Sequence, residues 1–189
     1  MSTAAQVVDS QLVSNHNATQ THSALNATLW SAQVLWGVLF SFTGFGKILC
    51  FNQAVWNQTL HQPVAWFHAV PQELFVFIGI CEFLGGIGLI LPGITGIEPK
   101  LVPLAAAGIS LIMILAIGFH IARGEYSFFV PMNLVLGGVA VFIAYGRLYA
   151  RPIAARPASA LRVLSGLVAL GALVFAGWFP VWYQLTHAH

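Results

Sequence analysis

Five stretches of this chain, roughly 27–50, 72–92, 101–122, 127–147 and 160–182, are each long and apolar enough to cross a bilayer. A spanning helix needs about 20 such residues. Within lipid every backbone N–H and C=O must be satisfied inside its own segment, so helices are what these stretches can form. Only 6% of the residues are charged and 58% are hydrophobic, whereas a soluble domain carries about 25% charged residues. The links at 93–100 and 123–126 are too short for anything but antiparallel neighbours. The expected fold is therefore an all-α integral membrane protein, an antiparallel four-helix transmembrane bundle plus a fifth C-terminal span.

Charge placement orients the spans. Arg147, Arg151, Arg156 and Arg162 cluster between spans four and five. The positive-inside rule makes that loop cytoplasmic, which puts the N-terminus inside and the C-terminus outside a plasma (inner) membrane. Lys100 then also lies inside, and only Lys47 and Arg123 lie near the outer face. The basic residues form no soluble stripe, so nucleic acid is not an expected partner; the lipid bilayer is.

Four regions are expected. Residues 1–26 are polar, with no basic start before an apolar core, and read as a disordered tail rather than a signal peptide. Residues 27–147 form the four-helix membrane domain, 148–159 a basic cytoplasmic linker, and 160–189 the fifth helix with a short outer tail. The loop at 51–71, with Trp56, Trp66, amides and prolines, suits the outer membrane surface, where it can lid the bundle. Cys50 and Cys81 are too far apart in depth to bridge. His61, His68, His187 and His189 have no close ligand spacing, so no metal site is expected.

Span two carries Glu82 near mid-membrane. An ionised carboxylate in hydrocarbon must face protein, water or a proton. Three other spans offer Lys47, His120 and Asn133, each on a stripe of small residues where a neighbouring helix should pack. Gly37, Ser41 and Gly44 lead to Lys47; Gly79 and Gly86 flank Glu82; Ala106, Met113 and Ala116 lead to His120; Gly137 follows Asn133. Allowing about 1.5 Å per residue, all four polar groups occupy the outer half of the membrane. A Lys stem can reach inward to a carboxylate. Burial favours a neutral acid and a nearby ammonium favours the anion, while imidazole passes protons near neutrality. Such a set could bind a carbonyl headgroup and move protons to it. A structural Lys47–Glu82 ion pair is the competing reading.

Gly44-Phe45-Gly46-Lys47, the segment from Cys81-Glu82-Phe83 to Leu91-Pro92-Gly93, and Gly118-Phe119-His120 through Arg123-Gly124-Glu125 resemble the DoxX and DoxX-like membrane proteins over about residues 27–147. The fifth span and the polar head depart from the four-helix pattern of that family. The resemblance implies a small membrane subunit of a redox system and carries the Lys47, Glu82, His120 pattern with it. A thiosulfate substrate is not implied, because nothing here marks a sulfur site. The leading expectation is a quinone-like or other small apolar ligand, with quinone the candidate cofactor. Glu82 would be the protonatable centre, Lys47 its charge partner, His120 the proton relay and Asn133 a headgroup donor. A soluble or membrane redox partner is expected with it. A quinone-interacting oxidoreductase subunit, a non-catalytic scaffold or assembly subunit, and a proton-coupled small-solute transporter all stay open.

Overall fold

The computed structural model describes the backbone of residues 3–59, 65–157 and 159–187, and the side chains of 20–59, 66–157, 159–172 and 175. Among the described residues the regular elements are helical, in the order α1 (Thr3–Leu49), α2 (Gln53–Gln58), a 3-10 turn (Ala65–Ala69), α3 (Gln72–Thr95), α4 (Leu101–Ala122), α5 (Phe129–Tyr145), a π turn (Gly146–Ala150) and α6 (Ala160–His187). Four segments among them are long and apolar enough to span a membrane: Gln20–Leu49, Gln72–Thr95, Leu101–Ala122 and Phe129–Ala150. In α6 the described apolar part is Ala160–Ala172; apart from Phe175, the rest of the expected fifth span lies outside the residues whose side chains are described.

Where a disordered head is expected, the backbone of α1 is already helical from Thr3. The stretch before residue 27 contains neither Gly nor Pro. With Ala and Gln among its residues, it can extend the helix that follows without a break.

α1 packs chiefly on α3, α3 on α4, and α4 on α5, while α6 lies against α1 and α3. The α1–α3 seam is made by small residues. A Cβ on Gly37 would meet Ile90 and the Gly86 carbonyl, one on Gly44 the backbone of Phe83 and Gly79, and one on Gly86 the Ser41 hydroxyl. Backbones approach closely there, as dispersion-driven packing in lipid requires. Phe40, Leu89, Val102, Ala106, Ile109, Met113, Ala140 and Ile143 fill the centre. Leu84, Leu104, Leu111, Leu115 and Leu134 remain exposed, which suits lipid contact.

A second, smaller core sits beside Lys47. Cys50, Trp56, Phe75 and Val76 are buried, with Trp66 and Phe67 packed on them. Asn52 caps α2 by accepting from the Ala54 and Val55 amides at 2.9 and 3.4 Å. Gln72 Nε2 donates to the Cys50 carbonyl at 2.7 Å, satisfying an orphan acceptor just beyond the end of α1. The described parts of the 51–71 loop thus fold over the Lys47 end as an aromatic cover. His61 lies outside the described residues.

Candidate functional site

Lys47 is in the last turn of α1 and Glu82 is midway along α3. The α1–α3 seam sets the two together: a Cβ on Gly79, one turn before Glu82, would press on the Lys47 Cβ and the Gly44 carbonyl. Lys47 Nζ donates to Glu82 Oε2 in a close ion pair. Thr43 Oγ1 lies 3.3 Å from the same oxygen. The Glu82 side chain is 6% exposed and that of Lys47 14%. This is a carboxylate within a membrane-spanning helix, held by one ammonium and one hydroxyl.

His120 belongs to a different group. Gly124, at φ +75, ends α4 with its amide on the Ile121 carbonyl at 3.0 Å, and Glu125 N donates to the His120 carbonyl at 2.9 Å. Those two bonds are a Schellman closure, which needs a left-handed residue and so favours Gly. The closure folds Glu125 back over the last turn of α4. Its Oε2 then lies 2.6 Å from His120 Nδ1, and its Oε1 accepts from Arg123 Nε at 2.9 Å. The His120 ring stacks on Phe129 at 4.4 Å and meets Trp66 edge-on at 5.7 Å.

The Arg123 guanidinium first, and His120 second, hold the Glu125 carboxyl below the usual carboxylate range through their hydrogen bonds. A depressed acid favours the folded form above its unfolded pKa, about 4.3, and loses that contribution as pH falls through the folded value. The α4–α5 turn is accordingly expected to loosen in acid below about pH 4. Faster amide exchange at residues 124–128 at pH 3 than at pH 6, after correction for intrinsic rates, is the expected result. Equal protection at both would remove Glu125 as the tie of this turn.

The expected quartet is therefore divided. Lys47 and Glu82 meet. Among the described residues no hydrogen bond or ion pair joins Glu82 to His120 or Asn133; His120 turns to Glu125 because the Schellman closure brings that carboxylate nearer. Asn133 is buried on α5 and its Nδ2 donates to the Phe129 carbonyl at 2.7 Å, a bond within its own helix one turn from the ring that stacks on His120. His68 stays in the aromatic cover, with Nε2 2.7 Å from Thr59 Oγ1. Both cysteines are free, and burial pushes the Cys50 thiol up. No group of three metal-ligating side chains forms among the described residues.

A second polar group was missed by sequence reasoning. Gln33 is fully buried, and its Nε2 donates to the Leu89 carbonyl at 2.6 Å while its Oε1 accepts from Arg147 Nε at 2.9 Å. The spacing held the signal. Gln33 precedes Gly37 by one turn on the α1 stripe, and Arg147, in the π turn that continues α5, lies fourteen residues, close to four turns, beyond Asn133.

The model of the DoxX-like family matches residues 31–143, from within α1 almost to the end of α5 and so over more than half of the chain. The chain belongs to the DoxX-like family. The matched segment contains Lys47, Glu82, His120 and Asn133, whereas Arg147 and α6 of this DoxX-like protein lie beyond it. No curated protein and no solved structure is matched by the chain.

Proposed function

We propose that this DoxX-like protein is an integral membrane component of a redox system that holds a quinone-like or other small apolar ligand at the Lys47 end of its helices. The arrangement is an antiparallel four-helix bundle with α6 as a fifth span, lying in the plasma membrane with its N-terminus cytoplasmic and its C-terminus outside. Support for the antiparallel arrangement comes from the α1–α3 contacts, which step from Gln33 beside Leu89 to Lys47 beside Glu82. The Arg-rich side of residues 147–162 supports the orientation.

The observation that carries the reading is the buried Glu82 carboxylate, placed within a spanning helix and touched by Lys47 and Thr43. Intramembrane carboxylates mark proton and ligand paths. In this reading Glu82 holds or gives the proton and Lys47 balances its charge. His120 relays through Glu125 to the rim, and Asn133 offers its second amide hydrogen to a carbonyl headgroup. The aromatic cover of Trp56, Trp66 and Phe67 supplies the apolar wall.

Tryptophans in that wall make binding measurable. Titrating detergent-solubilised protein with a short-chain ubiquinone analogue should quench tryptophan fluorescence saturably. Glu82→Gln should weaken that binding about tenfold or more, the worth of one charge-assisted hydrogen bond, while circular dichroism stays unchanged. An affinity equal to wild type in a folded Glu82→Gln protein sinks the role given to Glu82.

A non-catalytic scaffold or assembly subunit is favoured by one specific observation: the Lys47–Glu82 pair is closed on itself and Asn133 is satisfied within α5. On that reading Glu82→Gln lowers the melting temperature, and native mass spectrometry with organic extraction finds no retained small molecule.

A further inference from the structure

Arg147 is 3% exposed, yet all its partners are neutral. Its Nε donates to Gln33 Oε1 and its Nη1 to Asn26 Oδ1, both at 2.9 Å, with the Arg151 carbonyl at 3.3 Å. The guanidinium lies 4.9 Å over the Trp30 ring. Nη2 is buried without a hydrogen-bond partner. None of the ion pairs among the described residues involves Arg147, Arg151 or Arg156. A buried charge without a counter-charge is costly, and a free donor on it adds to the cost.

The geometry around it is that of a receptor. Arg147 lines a cavity of about 310 Å³ with Asn26, Trp30, Gly93, Ile153 and Arg156. The π turn closes with the Arg151 amide on the Gly146 carbonyl at 2.6 Å, and π turns recur at functional sites. The Arg156 amide donates to the Gly96 carbonyl at 2.9 Å. Gly96 has φ +73, and a Cβ there would come 2.8 Å from that of Arg156, so a glycine lets the arginine stem lie down beside the cavity. Arg151, next to the lining residue Pro152 but not itself in the lining, has Nε and Nη2 both buried and unbonded. Those two nitrogens form the side of a guanidinium that takes two oxygens at once.

We propose that this cavity is an oxyanion site that takes a phosphate group, supplied by a lipid headgroup or from solution. The two lining guanidinium groups, Arg147 and Arg156, form no ion pair among the described residues and match a group with several acceptor oxygens. The depth fits as well, because Arg147 lies three residues before the end of the Phe129–Ala150 span, about 4.5 Å along the axis. The site lies towards the other end of the Gln20–Leu49 span from Lys47 and is independent of the redox reading.

The full chain, delipidated in an uncharged detergent, provides the test. Inorganic phosphate is titrated against chloride at matched ionic strength with thermal unfolding as readout, and native mass spectrometry follows resupply of phosphatidylglycerol or phosphatidylcholine. Stabilisation by phosphate beyond chloride identifies a soluble source; selective retention of a phospholipid identifies a headgroup. In either arm Arg147→Gln should weaken binding roughly ten- to a hundredfold, as expected for lost charge-assisted bonds. Arg156 is exposed, so Arg156→Gln keeps the fold and should weaken the same binding severalfold should Arg147→Gln fail to fold. If wild type responds to phosphate no more than to chloride and retains neither lipid, the proposal is overturned. Binding that is undiminished in folded Arg147→Gln, or in Arg156→Gln where the first variant does not fold, overturns it equally.

Discussion

Lys47→Met is expected to lower the stability of the helical assembly by about 3–5 kcal/mol, the usual cost of leaving one member of a buried ion pair alone. The Glu82 side chain is 6% exposed, and once the ammonium is gone only the Thr43 hydroxyl at 3.3 Å remains beside Oε2. Water cannot easily replace the lost charge, because the carboxylate sits ten residues into a spanning helix. The double variant Lys47→Met/Glu82→Leu should recover most of the loss, since apolar replacement of both members of such a pair is often neutral or better. Unfolding in detergent reads all three proteins. A single variant within about 1 kcal/mol of wild type would mean that Lys47 snorkels to the surface instead of neutralising Glu82. The double variant also separates the two functional readings. A scaffold tolerates it, whereas a ligand site built on Glu82 loses quinone-dependent quenching in a protein that still folds.

Four of the five expected spans were legible because hydropathy acts over twenty residues and lipid permits only helices there. The expected third span, 101–122, is the helix Leu101–Ala122; the ends of the first, second and fourth differ by a few residues, apart from the start of the first, and of the fifth only Ala160–Ala172 is described as an apolar helix. The small-residue stripes were legible too, since Gly37, Ser41 and Gly44 do face Gly79 and Gly86. What depth and face could not reveal was which polar group each side chain chooses. His120 and Glu82 face inward on different helices, but the partner of His120 is five residues away, delivered by a backbone closure at Gly124 rather than by helix periodicity. By sequence position alone Arg147 is a topology signal, as an arginine near a span end usually is. Its burial depends on Gln33 and Asn26, more than a hundred residues earlier in the chain, and no local pattern contains that pairing.

Gly44→Val should cost about 3 kcal/mol, near the upper end of overpacking penalties, because the new side chain points at backbone. A Cβ at Gly44 would meet Phe83 N and the Gly79 carbonyl oxygen, with Phe83 Cα at 2.9 Å. No rotamer change relieves a clash of that kind; α1 and α3 have to separate. Gly138→Val is the matched control, since nothing lies within 4 Å of the position where its Cβ would stand, and it should be close to neutral. The consequence reaches the ion pair. Lys47 follows Gly44 by one turn, so separating the helices draws its ammonium away from Glu82. Coupling between Lys47 and Glu82, measured by a double-mutant cycle, should therefore be large in wild type and fall towards zero in a Gly44→Val background. Coupling that survives Gly44→Val undiminished would show that the pair assembles without the glycine seam, leaving Gly44 a packing residue with no part in positioning the site.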